Sequence, residues 1–187
     1  DQNNNQIVIT TIVNFYAVIQ TAIPTAEVIC VLAIDPNSGA INWVLSLSLD
    51  DNSHHHEVPI IIDDQGDYVI GFDVDKVQQT NPFTHQMGMG LAKIEPTGNV
   101  VWVREFREQQ ISNNDFRAFD LHQHSTNGNY LLTLERAGAV QSHFIELTLN
   151  GLLNSQGLVE CPFEVAHITD DGNDYWFGMN EIINGIM

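Results

Sequence analysis

The sequence predicts an all-β fold of tandem four-stranded antiparallel repeats, and two recurring segments are the basis of this prediction. The first segment runs from Leu32 to Trp43 and returns from Leu91 to Trp102, with a weaker copy from Ile145 to Leu153. In each copy an alternating apolar stretch leads into a turn that contains Gly, and a second stretch follows. Alternation with a period of two is typical of a half-buried strand, so each copy predicts a β-hairpin.

The second recurring segment is an aromatic strand that contains a tyrosine. Such strands are expected at Tyr16, Tyr68, Tyr130 and Tyr175, and Gly- or Asn-containing turns precede the last three. A short apolar stretch precedes each of those turns, and we expect the stretch from Ile7 to Val13 to take the same place in the first copy. These stretches are 58–62, 116–121 and 163–168. The two segments together predict four strands in each repeat.

The repeats predict one domain over residues 1–187, divided into four units. Their approximate bounds are 7–50, 54–108, 115–158 and a partial unit at 162–187. Four antiparallel strands in each period of about 45 to 60 residues are typical of a β-propeller blade. We therefore expect a β-propeller-like array, either of four blades or as a partial ring. A β-sandwich is the alternative, because short strands with frequent turns also suit that fold.

Composition excludes several classes of protein. The chain is 43% hydrophobic, which is too apolar for a disordered protein, and no apolar run approaches the length of a membrane span. Its 24 acidic residues against 6 basic ones give a net charge of −18, which repels nucleic acid and anionic membranes. This charge favours cationic ligands or surfaces as partners, and simple solubility is the alternative explanation.

The few lysines and the many Asn, Asp, Gln and Thr residues favour an extracellular or secreted protein. The opening residues from Asp1 to Gln6 suit a mature chain whose leader has been removed, and they equally suit a trimmed chain. Cys30 and Cys161 match no CxxC motif. They form either one long-range disulfide or remain two buried thiols.

Histidines are the candidate catalytic residues, since the chain has eight of them. His122 and His167 each precede a tyrosine by eight residues, so we expect them at matching places on neighbouring repeats. With His56 they are candidate bases, and with His124 they are candidate ligands of a divalent metal. The alternative is that all four are ordinary polar residues at strand ends. No Gly-x-Ser-x-Gly motif accompanies them, so a nucleophilic serine is not predicted.

Clustered acids are the other candidate metal ligands. Calcium prefers carboxylate oxygens that are close together, and three stretches of this chain supply them, 73–75, 170–174 and 50–52. The candidate residues are Asp73, Asp75, Asp170, Asp171 and Asp174. The alternative is that these acids stabilise turns through their own side chains. Calcium or another divalent metal is therefore the cofactor that the sequence suggests.

Two family resemblances follow from these segments. The order Ala33-Ile34-Asp35-Pro36, Gly39, Ile41 and Trp43 resembles the blade signature of the quinoprotein-like (PQQ-repeat) propellers. The run His55-His56-Glu57 and the run Phe119-Asp120-Leu121-His122, each ahead of a turn, are similar to the blade opening of arylsulfotransferase-type propellers. These resemblances imply propeller blades. They also imply an enzyme in which His56, His122 or His167 acts in a central channel.

Two functions are compatible with the sequence. The first is a secreted, non-enzymatic binding or assembly module that self-associates through open strand edges or binds a protein, cationic or carbohydrate partner. In that case the strand from Ile7 to Val13 either closes the ring within one chain or pairs with another chain. The second is an arylsulfotransferase- or quinoprotein-like enzyme. The absence of a catalytic motif favours the first function.

Overall fold

The structure, a computed structural model, describes residues 6–15, 26–47, 53–54, 58–78, 84–110, 116–136, 141–160 and 164–180. All of the regular secondary structure in these ranges is β-strand. The strands are β1 (Ile7–Phe15), β2 (Ala26–Ile34), β3 (Ile41–Leu47), β4 (Ser53–His54), β5 (Ile60–Ile62), β6 (Tyr68–Gln78), β7 (Thr84–Ile94), β8 (Val100–Gln110), β9 (Phe116–Gln123), β10 (Tyr130–Arg136), β11 (Gln141–Leu147), β12 (Leu153–Glu160), β13 (Glu164–Asp170) and β14 (Tyr175–Asn180). The prediction of an all-β fold is confirmed.

The strands form four antiparallel sheets that follow one another along the chain. The first sheet has the order β1-β2-β3, and the second has the order β4-β6-β7-β8 with β5 also paired to β6. The third sheet has the order β12-β11-β10-β9, and the described part of the fourth is the pair β13-β14. Apart from β4 and β5, which both pair with β6, strands that are consecutive in sequence within a sheet are neighbours in it. No helix in the described ranges is long and apolar enough to cross a membrane.

Three buried apolar clusters join the four sheets in series. Each cluster contains buried residues of two consecutive sheets, and one residue from each sheet illustrates it: Val31 with Ile70, Leu91 with Leu132, and Leu131 with Ile168. The second sheet is apolar on both faces, because Tyr68 and Ile70 on β6 pack toward the first sheet while Val69 packs toward the third. This series differs from the two facing layers of the β-sandwich alternative.

Trp43 makes several contacts across the junction between the first and second sheets. The ring of Trp43 on β3 lies 6.1 Å from the ring of Tyr68, between centroids, at an angle of 50°. Its indole N–H donates a 2.9 Å hydrogen bond to the carbonyl oxygen of Pro96 in the next sheet. Gly98 in the same turn lies against the indole ring, because a Cβ placed on Gly98 would come within 2.8 Å of it.

The same contacts recur at the next junction. The ring of Trp102 lies 6.0 Å from that of Tyr130 at 52°, and its N–H donates a 3.3 Å hydrogen bond to the carbonyl oxygen of Leu149. A Cβ placed on Gly151 would lie 2.9 Å from the indole ring of Trp102. At the third junction Ser155 stands four residues after Gly151, where the first two repeats have tryptophan.

The structure corrects the expected alignment of the first repeat. β1 is the counterpart of the aromatic strand and not of the apolar strand before it, because Ile7 pairs with Ile34 as Tyr68 pairs with Ile94. Ile7 therefore has the place predicted for Tyr16, which lies outside the described residues. The sequence pattern is ambiguous here, because both kinds of strand are short apolar stretches followed by polar residues. β1 is also paired with β2 along its whole length.

Replacing Gly98 by alanine should destabilise the protein more than replacing Gly39 does. Both glycines have positive φ, of 89° and 71°, so both substitutions incur backbone strain of about 1–2 kcal/mol. Only Gly98→Ala also displaces Trp43, because nothing lies within 4 Å of a Cβ on Gly39. Unfolding in denaturant measures the difference. Equal losses of stability would mean that the tryptophan contact contributes nothing.

Candidate functional site

Several predicted site residues meet where the third and fourth sheets join. His122 lies on β9 and His124 begins the turn after it, while His167 and Asp170 lie on β13. β9 and β13 are the first strands of their sheets, and they lie side by side. The fold therefore brings together four candidate residues from two repeats. His56 lies outside the described residues, and its role stays a prediction.

The Asp170 carboxylate is the centre of this cluster, and its side chain is only 2% exposed. One oxygen, Oδ2, lies 2.6 Å from Nε2 of His122 and accepts a 3.1 Å hydrogen bond from the backbone N–H of Ser125. The other, Oδ1, accepts hydrogen bonds from the Ser125 hydroxyl and from the Gly172 N–H. The hydrogen bonds from Ser125 and His122 hold the pKa of the Asp170 carboxyl well below its usual range.

The order of these groups argues against a nucleophilic serine. In a serine nucleophile site the histidine stands between the hydroxyl and the carboxylate, so that it can take the hydroxyl proton. Here the Asp170 carboxylate stands between Ser125 and His122, and the serine hydroxyl donates to the carboxylate. The arrangement links two sheets and orients the imidazole of His122. The imidazole, however, does not accept a hydrogen bond from the Ser125 hydroxyl, which donates to Asp170 instead.

His124 is buried and takes part in the structure of its own turn. Its Nδ1 accepts a 3.2 Å hydrogen bond from the backbone N–H of Thr126. Its ring meets that of Tyr175 edge-on, at 4.9 Å between centroids and 87°. An edge-to-face aromatic contact of this kind stabilises packing between the third and fourth sheets.

A second histidine–carboxylate pair crosses the same junction in the opposite direction. His167 on the fourth sheet has its Nδ1 3.2 Å from Oδ2 of Asp120 on the third. The same oxygen accepts a 2.7 Å hydrogen bond from the backbone N–H of Ile168. Because the His167 side chain is 73% exposed, water screens its pairing with Asp120. The backbone hydrogen bond is therefore the stronger link between these strands.

The junction of the second and third sheets contains a residue equivalent to Asp170. Gln123 lies opposite the tyrosine of the third sheet, as Asp170 lies opposite that of the fourth. The side-chain oxygen of Gln123 accepts a 2.9 Å hydrogen bond from the backbone N–H of Asp64, and this N–H is the counterpart of the Ser125 N–H. One inter-sheet hydrogen bond thus occurs at both junctions, with an amide oxygen as acceptor in one and a carboxylate oxygen in the other.

The turns before the tyrosines share a second feature. Asp63, His124 and Asp171 each accept a hydrogen bond from the backbone N–H two residues later, at 2.9, 3.2 and 3.0 Å. Such side-chain bonds are how Asp and similar residues stabilise turns. They also hold the pKa of the Asp171 carboxyl below its usual range, since the N–H groups of Asp174 and Asn173 point to it. Asp171, a predicted metal ligand, caps its turn in the structure.

Two other predicted acids, Asp73 and Asp174, lie in different sheets. Asp73 is buried on β6, and Asp75 lies on the same strand with its side chain outside the described part. Asp174 is exposed in the turn between β13 and β14. Among the described residues, no three His, Cys, Asp or Glu side chains converge so that they could hold a metal ion. Calcium or another divalent metal stays a prediction for all of the predicted ligands.

A buried ionic cluster at the second junction was not found from the sequence. The Lys93 ammonium lies 2.7 Å from Asp63 Oδ2 and 3.1 Å from Asp67 Oδ2, and the Tyr130 hydroxyl donates a 2.7 Å hydrogen bond to Asp63 Oδ2. Burial raises the pKa of the Asp63 carboxyl, but the hydrogen bonds from Lys93 and Tyr130 outweigh it and lower the pKa. One feature of the sequence could have indicated this cluster: Lys93 lies in an otherwise apolar strand, at the position where the first repeat has Ala33.

Glu146 is the counterpart of Lys93 in the third repeat and forms a different polar cluster. Its carboxylate accepts hydrogen bonds from Asn129 at 3.0 Å and from the Tyr175 hydroxyl at 3.1 Å. It also accepts one from Ser155, which replaces the tryptophan of the earlier repeats, at 2.9 Å. Burial raises the pKa of the Glu146 carboxyl, and these hydrogen bonds lower it further than burial raises it. The third junction therefore has a polar cluster where the first two have a tryptophan.

Cys30 lies on β2, and its sulfur is 3.8 Å from the hydroxyl oxygen of Ser46 on β3. Cys161 lies outside the described residues. The choice between a disulfide and two thiols therefore stays open.

A comparison of this chain with models of known protein families finds no match, and a search of curated proteins finds none either. The likeness to quinoprotein-like and arylsulfotransferase-type propellers therefore stays a prediction.

Replacing Asp170 by asparagine should destabilise the junction of the third and fourth sheets. An asparagine side chain has one acceptor oxygen, and its amide group would face N–H donors that now point to a carboxylate. Asp174→Asn, in the same turn, is the matched control, because Asp174 is exposed. Thermal unfolding should show a larger decrease in Tm for Asp170→Asn than for the control.

The same pair of variants makes a pH prediction. The pKa of Asp170 is lowered on folding, so its contribution to stability is present above about pH 4 and is lost as the pH falls through the folded-state pKa. Unfolding free energies measured below about pH 4 should therefore fall more steeply in the wild type than in Asp170→Asn. Parallel profiles would contradict the role assigned to this carboxylate.

Lys93→Met should destabilise the protein by about 3 kcal/mol, because it leaves the buried Asp63 carboxylate without its cation. The double variant Lys93→Met with Asp63→Asn should lose less than the sum of the single variants. Asparagine keeps the oxygen that caps the turn at Gln65 and removes the unpaired charge. A double-mutant cycle in urea should give a coupling above about 1 kcal/mol, and additive effects would contradict the ionic cluster.

Proposed function

We propose that this chain is a non-enzymatic, β-propeller-like binding or assembly module that acts outside the cell. One observation carries the proposal. Where the second and third sheets join, the Gln123 side chain accepts a hydrogen bond from a backbone N–H of the preceding sheet. Where the third and fourth sheets join, Asp170 accepts the equivalent hydrogen bond, so the histidine and carboxylate cluster forms at a position with a structural role. Residues that could have formed a catalytic site thus hold two sheets together. The comparable contact at the second junction uses no residue capable of acid–base chemistry at neutral pH.

The order of the sheets supports a propeller-like arrangement. β5, β9 and β13 each precede a tyrosine, and β9 contacts β5 and β6 of the second sheet and β13 of the fourth. In a propeller, the first strands of the blades lie nearest the axis and the later strands lie farther out. The contacts of β9 with β5 and β13, the corresponding strands of the two neighbouring sheets, support this arrangement.

The charge of the chain supports binding to a cationic or protein partner. A net charge of −18 on 187 residues gives a strongly negative surface that attracts cationic groups and repels nucleic acid. Extracellular action is the expectation from the low lysine content. Together these features fit a scaffold whose loops and sheet faces contact other molecules.

The alternative is an arylsulfotransferase- or quinoprotein-like enzyme, and one observation favours it. The side chain of His122 is 24% exposed, and its Nε2 is held by the Asp170 carboxylate. A carboxylate that orients an accessible imidazole is also the arrangement of a general base. The two functions differ in what the loss of His122 should change.

An activity assay separates the two functions. Purified protein is incubated with 4-nitrophenyl sulfate and phenol, with and without added calcium, and the release of 4-nitrophenolate is followed by absorbance. A non-enzymatic module should release no more than buffer does. His122→Ala is compared with His143→Ala, a control histidine on β11 of the third sheet. Turnover that disappears in His122→Ala and persists in His143→Ala would overturn the proposal.

A further inference from the structure

The first sheet exposes an apolar outer face. Alternate residues of β1 point away from the second sheet, and hydrophobic residues of β3 lie on the same face. We call these residues the leading face: Ile7 at 50% exposure, Ile9 at 44%, Val13 at 36%, Ile41 at 59% and Val44 at 55%. Isolated apolar residues on a surface are ordinary, but a contiguous uncharged sheet face is typical of an interaction site.

The other three sheets bury the face that corresponds to the leading face. Ile7 pairs with the last residue of β2, as Tyr68 and Tyr130 pair with the last residues of β7 and β11. Both tyrosines are buried against the preceding sheet, at 1% and 0% exposure. Tyr175 packs toward the third sheet in the same way. The leading face is therefore the side by which each later sheet packs on the sheet before it.

The fourth sheet exposes the complementary side, centred on Trp176, which is 56% exposed. Trp176 follows Tyr175 directly, so its counterparts are the residues after Ile7, Tyr68 and Tyr130. These counterparts are Val8, Val69 and Leu131, and each packs toward the sheet that follows its own. Each junction between consecutive sheets joins a face of the first type, like that of Ile7, to a face of the second type, like that of Trp176. In the described residues the first sheet exposes the former and the fourth sheet exposes the latter. We call the side with Trp176 the trailing face.

We propose that the leading face of one copy of this chain binds the trailing face of a second copy. The interface would continue the stacking already seen between consecutive sheets, with Trp176 of one copy on the β1 and β3 residues of the next. The proposal rests on the proposed assembly function and identifies its partner. The two faces correspond to the two sides of the junction that joins consecutive sheets within this chain, so a second copy is the occupant that fits.

Such an interface uses two different surfaces and is therefore heterologous. Copies added head to tail either close into a ring or continue as a filament, depending on the rotation between them. Burial of apolar side chains favours association, whereas the charge of −18 on each copy opposes it. Raised salt should therefore strengthen the association, because screening removes the repulsion and leaves the apolar contact.

The test measures oligomeric state by sedimentation velocity and by light scattering after size-exclusion chromatography. The wild type should self-associate, and more strongly at about 1 M NaCl, where the Debye length is about 3 Å. Ile9→Glu on the leading face and Trp176→Glu on the trailing face should each weaken association at least about tenfold, because each would bury a charge. Val101→Glu is the control, since Val101 is 49% exposed in the second sheet. Circular dichroism verifies that each variant is folded.

Mixing the two variants gives the sharpest result. Ile9→Glu keeps an intact trailing face and Trp176→Glu keeps an intact leading face, so an equal mixture should form a dimer and nothing larger. A monomeric wild type at high salt, as closure within one chain would give, would overturn the proposal. Unchanged assembly in either variant, or a mixture that stays monomeric, would also overturn it. The aryl sulfate assay is independent of these measurements, so a failure of self-association is distinguishable from the discovery of an enzyme.

Discussion

The contact between consecutive sheets is the interaction on which the rest of this structure depends. A single antiparallel sheet can leave one face in water, but the second and third sheets bury apolar residues on both faces. At the first two junctions a tryptophan lies on the next tyrosine, contacts the next glycine turn and donates its N–H to a carbonyl there. This contact places an indole where its polar atom is satisfied, as a buried tryptophan requires. The glycine serves both the turn and the close approach of the ring.

The junctions differ at one position, and the difference has a physical consequence. The place held by Ala33 at the first junction is held by Lys93 at the second and by Glu146 at the third. Each charged side chain meets a different set of hydrogen-bonding partners, including the tyrosine hydroxyl of the following sheet at the third junction. Most partners of each charged group belong to its own sheet: Asp63 and Asp67 for Lys93, and Asn129 and Ser155 for Glu146. A buried charge is tolerated only with such partners. The following sheet contributes one tyrosine hydroxyl at each of these two junctions.

The residues that suggest catalysis also form the hydrogen bonds that link the third and fourth sheets. His122, Ser125 and Asp170 would form a reactive site if the imidazole stood between the other two groups, but the carboxylate has that place. A carboxylate with four hydrogen-bond donors around it is stabilised as an anion, which suits a structural link between two sheets. The role of a serine, a histidine and an aspartate that lie together therefore depends on which of them stands in the middle.

The sequence by itself determined the strands, the turns and the sites of the glycines, because these follow from local alternation and local turn chemistry. It also singled out His122, His124, His167 and Asp170, and His122 and His167 share a spacing of eight residues from their tyrosines. Only the tertiary structure decided which strand of the first repeat corresponds to Tyr68, since pairing register is a contact between distant residues. The order of groups around Asp170 and the partners of Lys93 were decided in the same way. Such contacts join residues 45 or 30 positions apart, and no local pattern encodes the distance between their atoms.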